Sequence, residues 1–246
     1  HENTRVLIAT FSPWKNGRRL PINGNLEPMR DFFSKRAAKT VIIDQVYPGS
    51  DFVIPRIEVY QIGKKQKVFR SSFVVALLAP LLWLFNRGGT HIVFKLRDFF
   101  SVIDWGLRDR KGYDLFIGFE SVNGLAGIAL RGLGKVKRVI YYVSDYSPRR
   151  YENSWVNAIY LWLDRFCACR ADYIWDVSEA MQPARIAAGL RKDRSAPVIR
   201  VGNGLFPDQI VRSAKKDPHA LAYMGTVGPE NGPDVAIEAL ALVRKH

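Results

Sequence analysis

The sequence is poor in the residues that staple or metallate a small protein. Two cysteines stand in 246 residues, Cys167 and Cys169. They are too few and too close for a disulfide framework, and on a helix they point about 200° apart. They read as reduced thiols of a cytosolic protein. There are only four histidines, His1, His91, His219 and His246. A metal site needs more ligands than these supply, so no metal and no cofactor is expected.

Several catalytic signatures are also missing. No G-x-x-x-x-G-K-[ST], H-E-x-x-H, C-x-x-C or G-x-S-x-G occurs, and no G-x-G-x-x-G follows the first apolar strand. These absences remove the P-loop, zinc-protease and plain serine-hydrolase readings. Long apolar runs are missing too. The longest, Phe73 to Phe85, has 13 residues with Pro80 inside it, whereas a membrane span needs about 20. That run reads as a buried helix or as a one-sided membrane contact. The second reading gains from the preceding Lys64, Lys65, Lys67 and Arg70.

Positive charge, by contrast, is abundant. Lys and Arg total 37 against 23 for Asp and Glu, a formal charge of +14. Such a surplus attracts nucleic acid, anionic lipid or phosphorylated metabolites. The basic residues are spread along the chain, and no zinc-finger, KH or RNP-like motif appears, which argues against a nucleic-acid-binding protein.

Short apolar runs alternate with longer amphipathic ones. Strands are expected at Val6–Thr10, Val41–Ile43, Arg56–Ile62, His91–Phe94, Asp114–Phe119, Arg138–Val143, Tyr173–Val177 and Val198–Val201. Helices are expected from Glu27 to Ala38, through Phe73, from Phe99 to Arg110, from Val122 to Leu130, and after Ser178 as a natural cap. Trp155, Ile159, Trp162, Leu163 and Phe166 mark one face of a further long helix, with Trp162 and Trp175 expected in the core. The alternation predicts an α/β fold with a mostly parallel, Rossmann-like sheet and helices on both faces. Residues 1–205 form that domain in this reading. Residues 206–218 read as a linker, and 219–246, with a strand at Leu221–Met224 and one helix, open a second such domain whose remainder is absent.

Ligands of such sheets bind beyond the C-terminal ends of the strands. The long first loop, with Lys15, Gly17, Arg18, Arg19, Asn23 and Gly24, can cradle an anion. Glu120 and Ser121 follow one strand; Ser144, Asp145, Arg149 and Arg150 follow another. Glu120 and Asp145 are candidates to accept a proton or hold sugar hydroxyls, and the two arginines to meet phosphate.

Taken in order, several stretches resemble the retaining GT-B glycosyltransferases of family four. They are Trp162–Arg165 with Ala171–Met181, the turn Val201-Gly202-Asn203-Gly204, and Tyr223–Gly232 followed by Ile237–Leu240. The resemblance implies transfer of a sugar from a nucleoside-diphosphate sugar to an acceptor hydroxyl, with retention and without a metal. It assigns acceptor binding to the first domain, through Lys15, Arg18, Asn23, Gly24, Ser121, Ser144, Arg149 and Arg150, with Asp145 and Glu120 as catalytic groups. Donor binding falls to Gly204, Gly225, Thr226 and Asn231. Thr226 and Asn231 depart from the family's Arg and Lys, and Ser144-Asp145 from its His-Asp. The implied partners are a nucleotide sugar, a glycan or lipid-linked acceptor, and an anionic membrane surface, with the protein cytoplasmic or peripheral on the inner face of the plasma membrane. A non-catalytic glycan- or partner-binding relative, a nucleic-acid-binding α/β protein and a nicotinamide-dependent reductase or epimerase are the competing readings.

Overall fold

The computed structural model describes residues 3–20, 24–61, 64–70, 75, 77, 79–86, 91–203, 222–223 and 232–243. The chain divides into two compact units, His1–Leu205 and Phe206–His246. In the second unit the described element is one helix, Pro233–Val243. The linker 206–218 lies outside the described residues, as does most of the strand expected at Leu221–Met224.

The first unit is built on one large sheet. Its strands are β1 (Arg5–Ser12), β4 (Lys39–Val46), β5 (Arg56–Gln61), β6 (Lys64–Arg70), β7 (Tyr113–Phe119), β8 (Val136–Val143), β9 (Tyr173–Asp176) and β10 (Val198–Arg200). They lie in the order β10-β9-β8-β7-β1-β4-β5-β6. Every pair from β10 to β4 is parallel, and β5 and β6 close the far edge as antiparallel neighbours. The central strands are apolar along nearly their whole length because both of their faces are covered.

Side-chain alternation sorts the helices into layers. Val6 and Ile8 of β1, Ile42 of β4 and Ile117 of β7 pack on one face with Leu26 and Met29 of α1 (Leu26–Arg36). Leu7 and Ala9, Val41 and Ile43, Phe116 and Val139 point to the other face. There they meet α3 (His91–Arg108) and α4 (Glu120–Gly132), and farther along Tyr141 and Val143 meet α5 (Ser154–Arg170) and α6 (Met181–Ala187). The arrangement is Rossmann-like in general architecture. Helix α4 sits so close to the sheet that a Cβ on Gly118 would lie 2.8 Å from backbone atoms of Asn123 and Gly124. Only glycine admits that approach.

Within the first loop, β2 (Trp14–Lys15) and β3 (Arg18–Arg19) pair as a hairpin. Two expectations are corrected. His91–Phe94 is the first turn of α3, not a strand. A four-residue apolar run does not distinguish the two, and this helix is apolar on both sides. Second, the apolar face of α5 is real but points outward, with Trp162 55% exposed. Its buried side carries Tyr160, Asp164, Cys167 and Ala168. Asn153 caps this helix, accepting from the backbone N–H groups of Trp155 and Val156 at 3.0 and 3.1 Å. Of the run Phe73–Phe85, the described part is helical, within α2 (Ala79–Asn86) and at Val75 and Leu77.

Two buried arginines explain the polar inner sides. Arg185 of α6 donates through both terminal nitrogens to Asp176 of β9, at 2.6 and 3.0 Å, and through Nε to Asp164 of α5 at 3.1 Å. Tyr141 of β8 donates to the same Asp164 at 2.7 Å. All four side chains are fully buried. Arg97 of α3 likewise donates to the carbonyls of Val46 and Val53 at 2.7 and 2.8 Å and pairs with Asp98 at 2.6 Å. Removing one member of a buried ionic group strands its partners' charge. Arg185→Leu is therefore expected to lower stability by about 3–5 kcal/mol in urea melts. The deficit should shrink on acidification, as the stranded Asp164, already pushed up by burial, takes up a proton.

Candidate functional site

The most unusual backbone on the parallel strands' C-terminal rim is at Glu120. It joins β7 to α4 directly, with φ 65°. A non-glycine residue held in the left-handed region costs about 1–3 kcal/mol and persists only where the surroundings impose it. Here the sheet and the tightly packed α4 impose it, and the side chain is buried. The Ser144 hydroxyl donates to Glu120 Oε1 at 3.0 Å, and Arg150 Nη1 lies 3.5 Å from Oε2. Burial pushes the Glu120 carboxyl above the usual glutamate range, opposed by the positive charges of Arg150 and Lys95.

The loop between β8 and α5 is held in register with this carboxylate. Arg150 Nη1 donates to the Asp145 carbonyl at 2.7 Å and its guanidinium lies over the Tyr160 ring. Asn157 of α5 fastens the loop end, accepting from the backbone N–H of Arg150 at 3.0 Å and donating to the carbonyl of Pro148 at 2.9 Å. Arg150 is thus engaged with Glu120 and its own loop, whereas Arg149 is exposed. Asp145 projects into solvent, 75% exposed, 3.7 Å from Arg150. Ser121 is buried in the first turn of α4, and its carbonyl accepts the Cys167 thiol at 3.3 Å.

The first loop supplies a different kind of structure. Arg19 turns inward and donates to Asp44 at 2.9 Å, Glu27 at 2.8 Å and Glu58 at 3.2 Å. Trp14 also donates to Asp44, at 3.2 Å, beneath the Arg56 guanidinium. Lys15 and Arg18 are exposed on the hairpin, and Gly24 is exposed before α1. Asn23, Gly204, Gly225, Thr226 and Asn231 lie outside the described residues.

Four further polar residues join the rim that were not among the expected site residues, Asn203 having been marked only as part of the turn Val201–Gly204. Asn25, buried at the start of α1, donates to the Tyr142 hydroxyl at the end of β8 and reaches Asn203 after β10 at 3.5 Å. Lys95 faces Glu120 from α3. Their signal was topological: each stands at the mouth end of its element, which spacing along the chain does not show. The rim thus brings together one buried carboxyl, a hydroxyl donor, two cations and a set of amide and phenol groups. It can take or share a proton and hydrogen-bond a polyhydroxylated ligand. Among the described residues no group of His, Cys, Asp and Glu is arranged to hold a metal. A cavity of about 250 Å³ lies at the opposite end of the sheet, lined by Lys39, Trp105, Arg108, Asp109 and Tyr113 and crossed by the Lys39–Asp109 ion pair at 2.7 Å.

No protein-family model matches the chain, and neither does any curated protein.

Because the native carboxyl of Glu120 binds its proton more tightly than the unfolded one, the native state holds more protons between the two pKa values. Stability then falls as pH rises through that window. Glu120→Gln removes this term. The melting temperature of wild type relative to the Gln variant is therefore expected to decline as pH is raised from about 4, near the unfolded glutamate pKa. Parallel thermal melts of the two proteins check it.

Proposed function

We propose that the protein transfers a sugar from a nucleoside-diphosphate sugar to an acceptor hydroxyl with retention, its first unit holding the acceptor, a glycan or lipid-linked molecule. The observation that carries this reading is Glu120: a buried carboxyl in strained backbone, at the rim where ligands of such sheets bind, held by Ser144 and Arg150. A carboxyl with a raised pKa suits sharing the acceptor hydroxyl's proton as it approaches the sugar. Asn25, Tyr142 and Asn203 supply donors and acceptors of the kind sugar hydroxyls need. Exposed Lys15, Arg18 and Arg149 offer positive charge to a phosphate. Within the rim, Glu120 takes the proton-handling role, and the solvent-projecting Asp145 serves only to steady Arg150.

The donor side of the proposal, Gly204, Gly225, Thr226 and Asn231, is supported by the resemblance alone. Calorimetric titration with UDP-, GDP- and ADP-sugars tests it, on this chain and on the product of the whole reading frame. Heat from one nucleotide class is expected for the latter; silence with all three overturns sugar transfer in favour of a non-catalytic glycan-binding role. In the protein that turns over, Glu120→Gln is expected to cut transfer by roughly 100-fold or more, and Asp145→Asn by less than about tenfold. Equal losses from the two substitutions would displace Glu120 from the role given to it here.

A further inference from the structure

Two of the helices that cover one face of the sheet carry exposed apolar side chains on the side away from it. On α3 the buried side includes Arg97, Asp98 and Ser101 beside Phe94, Val102 and Trp105. The opposite side carries exposed Ile92, Leu96, Phe100 and Leu107, which at helical spacing occupy an arc of about 80°. Leu96 is 55% and Phe100 52% exposed. On α5 the outward side carries Trp155, Ile159 and Trp162, with Trp155 80% exposed. Helix α2, seated on α3 by Leu82 against Phe94, adds exposed Leu81, Trp83 and Leu84. An ordinary surface helix keeps that outer side polar.

α3 and α5 flank α4 in one layer, and neighbouring helix axes are 8–10 Å apart, so the two stripes stand about 20 Å from each other on the same side of the sheet. The unpaired exposed charge on these helices is positive. On α2, α3, α4 and α5 the acids Asp98, Glu120 and Asp164 are buried, and Asp104 is paired with Arg108 at 2.9 Å. Lys95, Arg165 and Arg170 stand at least partly exposed on these same helices, in a chain whose formal charge is +14.

We infer that this face seats the protein on an anionic lipid bilayer, with Trp83, Trp155 and Trp162 at headgroup depth. Tryptophan, leucine and phenylalanine on the buried side with Lys and Arg around them is the composition that binds a bilayer interface. No described helix is long and apolar enough to cross a membrane, so the contact is with one leaflet. The N-terminal ends of α3, α4 and α5 all lie at the Glu120 rim. A lipid-borne hydroxyl held at the headgroup level would therefore approach Glu120 from the edge of this face. That last step deepens the sugar-transfer reading and rests on it; the docking itself does not.

Flotation with phosphatidylcholine vesicles, with and without phosphatidylglycerol, tests the docking. The protein is expected to float with the anionic vesicles and to be released by salt. The double variant Phe100→Glu, Trp162→Glu changes two half-exposed side chains and should bind at least about tenfold more weakly while melting as wild type does. Should that variant misfold, wild-type tryptophan fluorescence decides instead, with quenching by lipids brominated along their acyl chains expected on binding. The inference is overturned by absence of flotation at low salt, by binding without quenching, or by a dimer of this chain that the same two substitutions dissociate. Binding to vesicles by a protein that transfers no sugar would leave docking standing and remove the transfer reading alone.

Discussion

The Arg185 guanidinium sets the geometry on which the candidate site depends. Its two carboxylate partners come from different elements, Asp176 from β9 and Asp164 from α5, and Tyr141 adds β8. Burying three ionisable groups costs several kcal/mol per ion unless nearly every hydrogen bond is made. Here the fork of Arg185 meets Asp176 in a bidentate fashion and its Nε takes up Asp164, so α5, α6, β8 and β9 hold one mutual arrangement. The loop from the end of β8 to the start of α5 is anchored at both ends by that arrangement. It is this loop that brings Ser144 and Arg150 onto Glu120.

Glu120 meets the same structure from the other side. Its left-handed backbone follows from β7 running straight into a helix that glycines allow to lie almost on the sheet. Burial favours the protonated form and the cations Arg150 and Lys95 favour the charged one. A group balanced in that way suits proton handling better than Asp145, which has the same chemistry and free access to solvent.

α3 and α5 bury Arg97, Asp98 and Asp164 beside Phe94, Val102, Trp105, Cys167 and Ala168, and still carry Leu96, Phe100, Trp155 and Trp162 on their outer sides.

The sequence by itself determined most of the fold. Short β-branched and aromatic runs, alternating with longer amphipathic ones, specify a parallel sheet with helical cover, because buried parallel strands need apolar residues on both faces. It also placed Glu120 and Ser144 at the strand ends, since chain order locates those ends. Tertiary structure alone decided the rest. Periodicity shows that α5 has an apolar face but not which way it points, and that was settled by Arg185, which lies 21 residues beyond Asp164. Arg19 of the basic first loop reads as free for an anion in the sequence, yet it is taken up by Asp44 and Glu58, 25 and 39 residues away. Asn25 and Tyr142, 117 residues apart, meet only because α1 begins where β8 ends. Local pattern fixes which side chains share a face; only contacts between distant segments fix what that face meets.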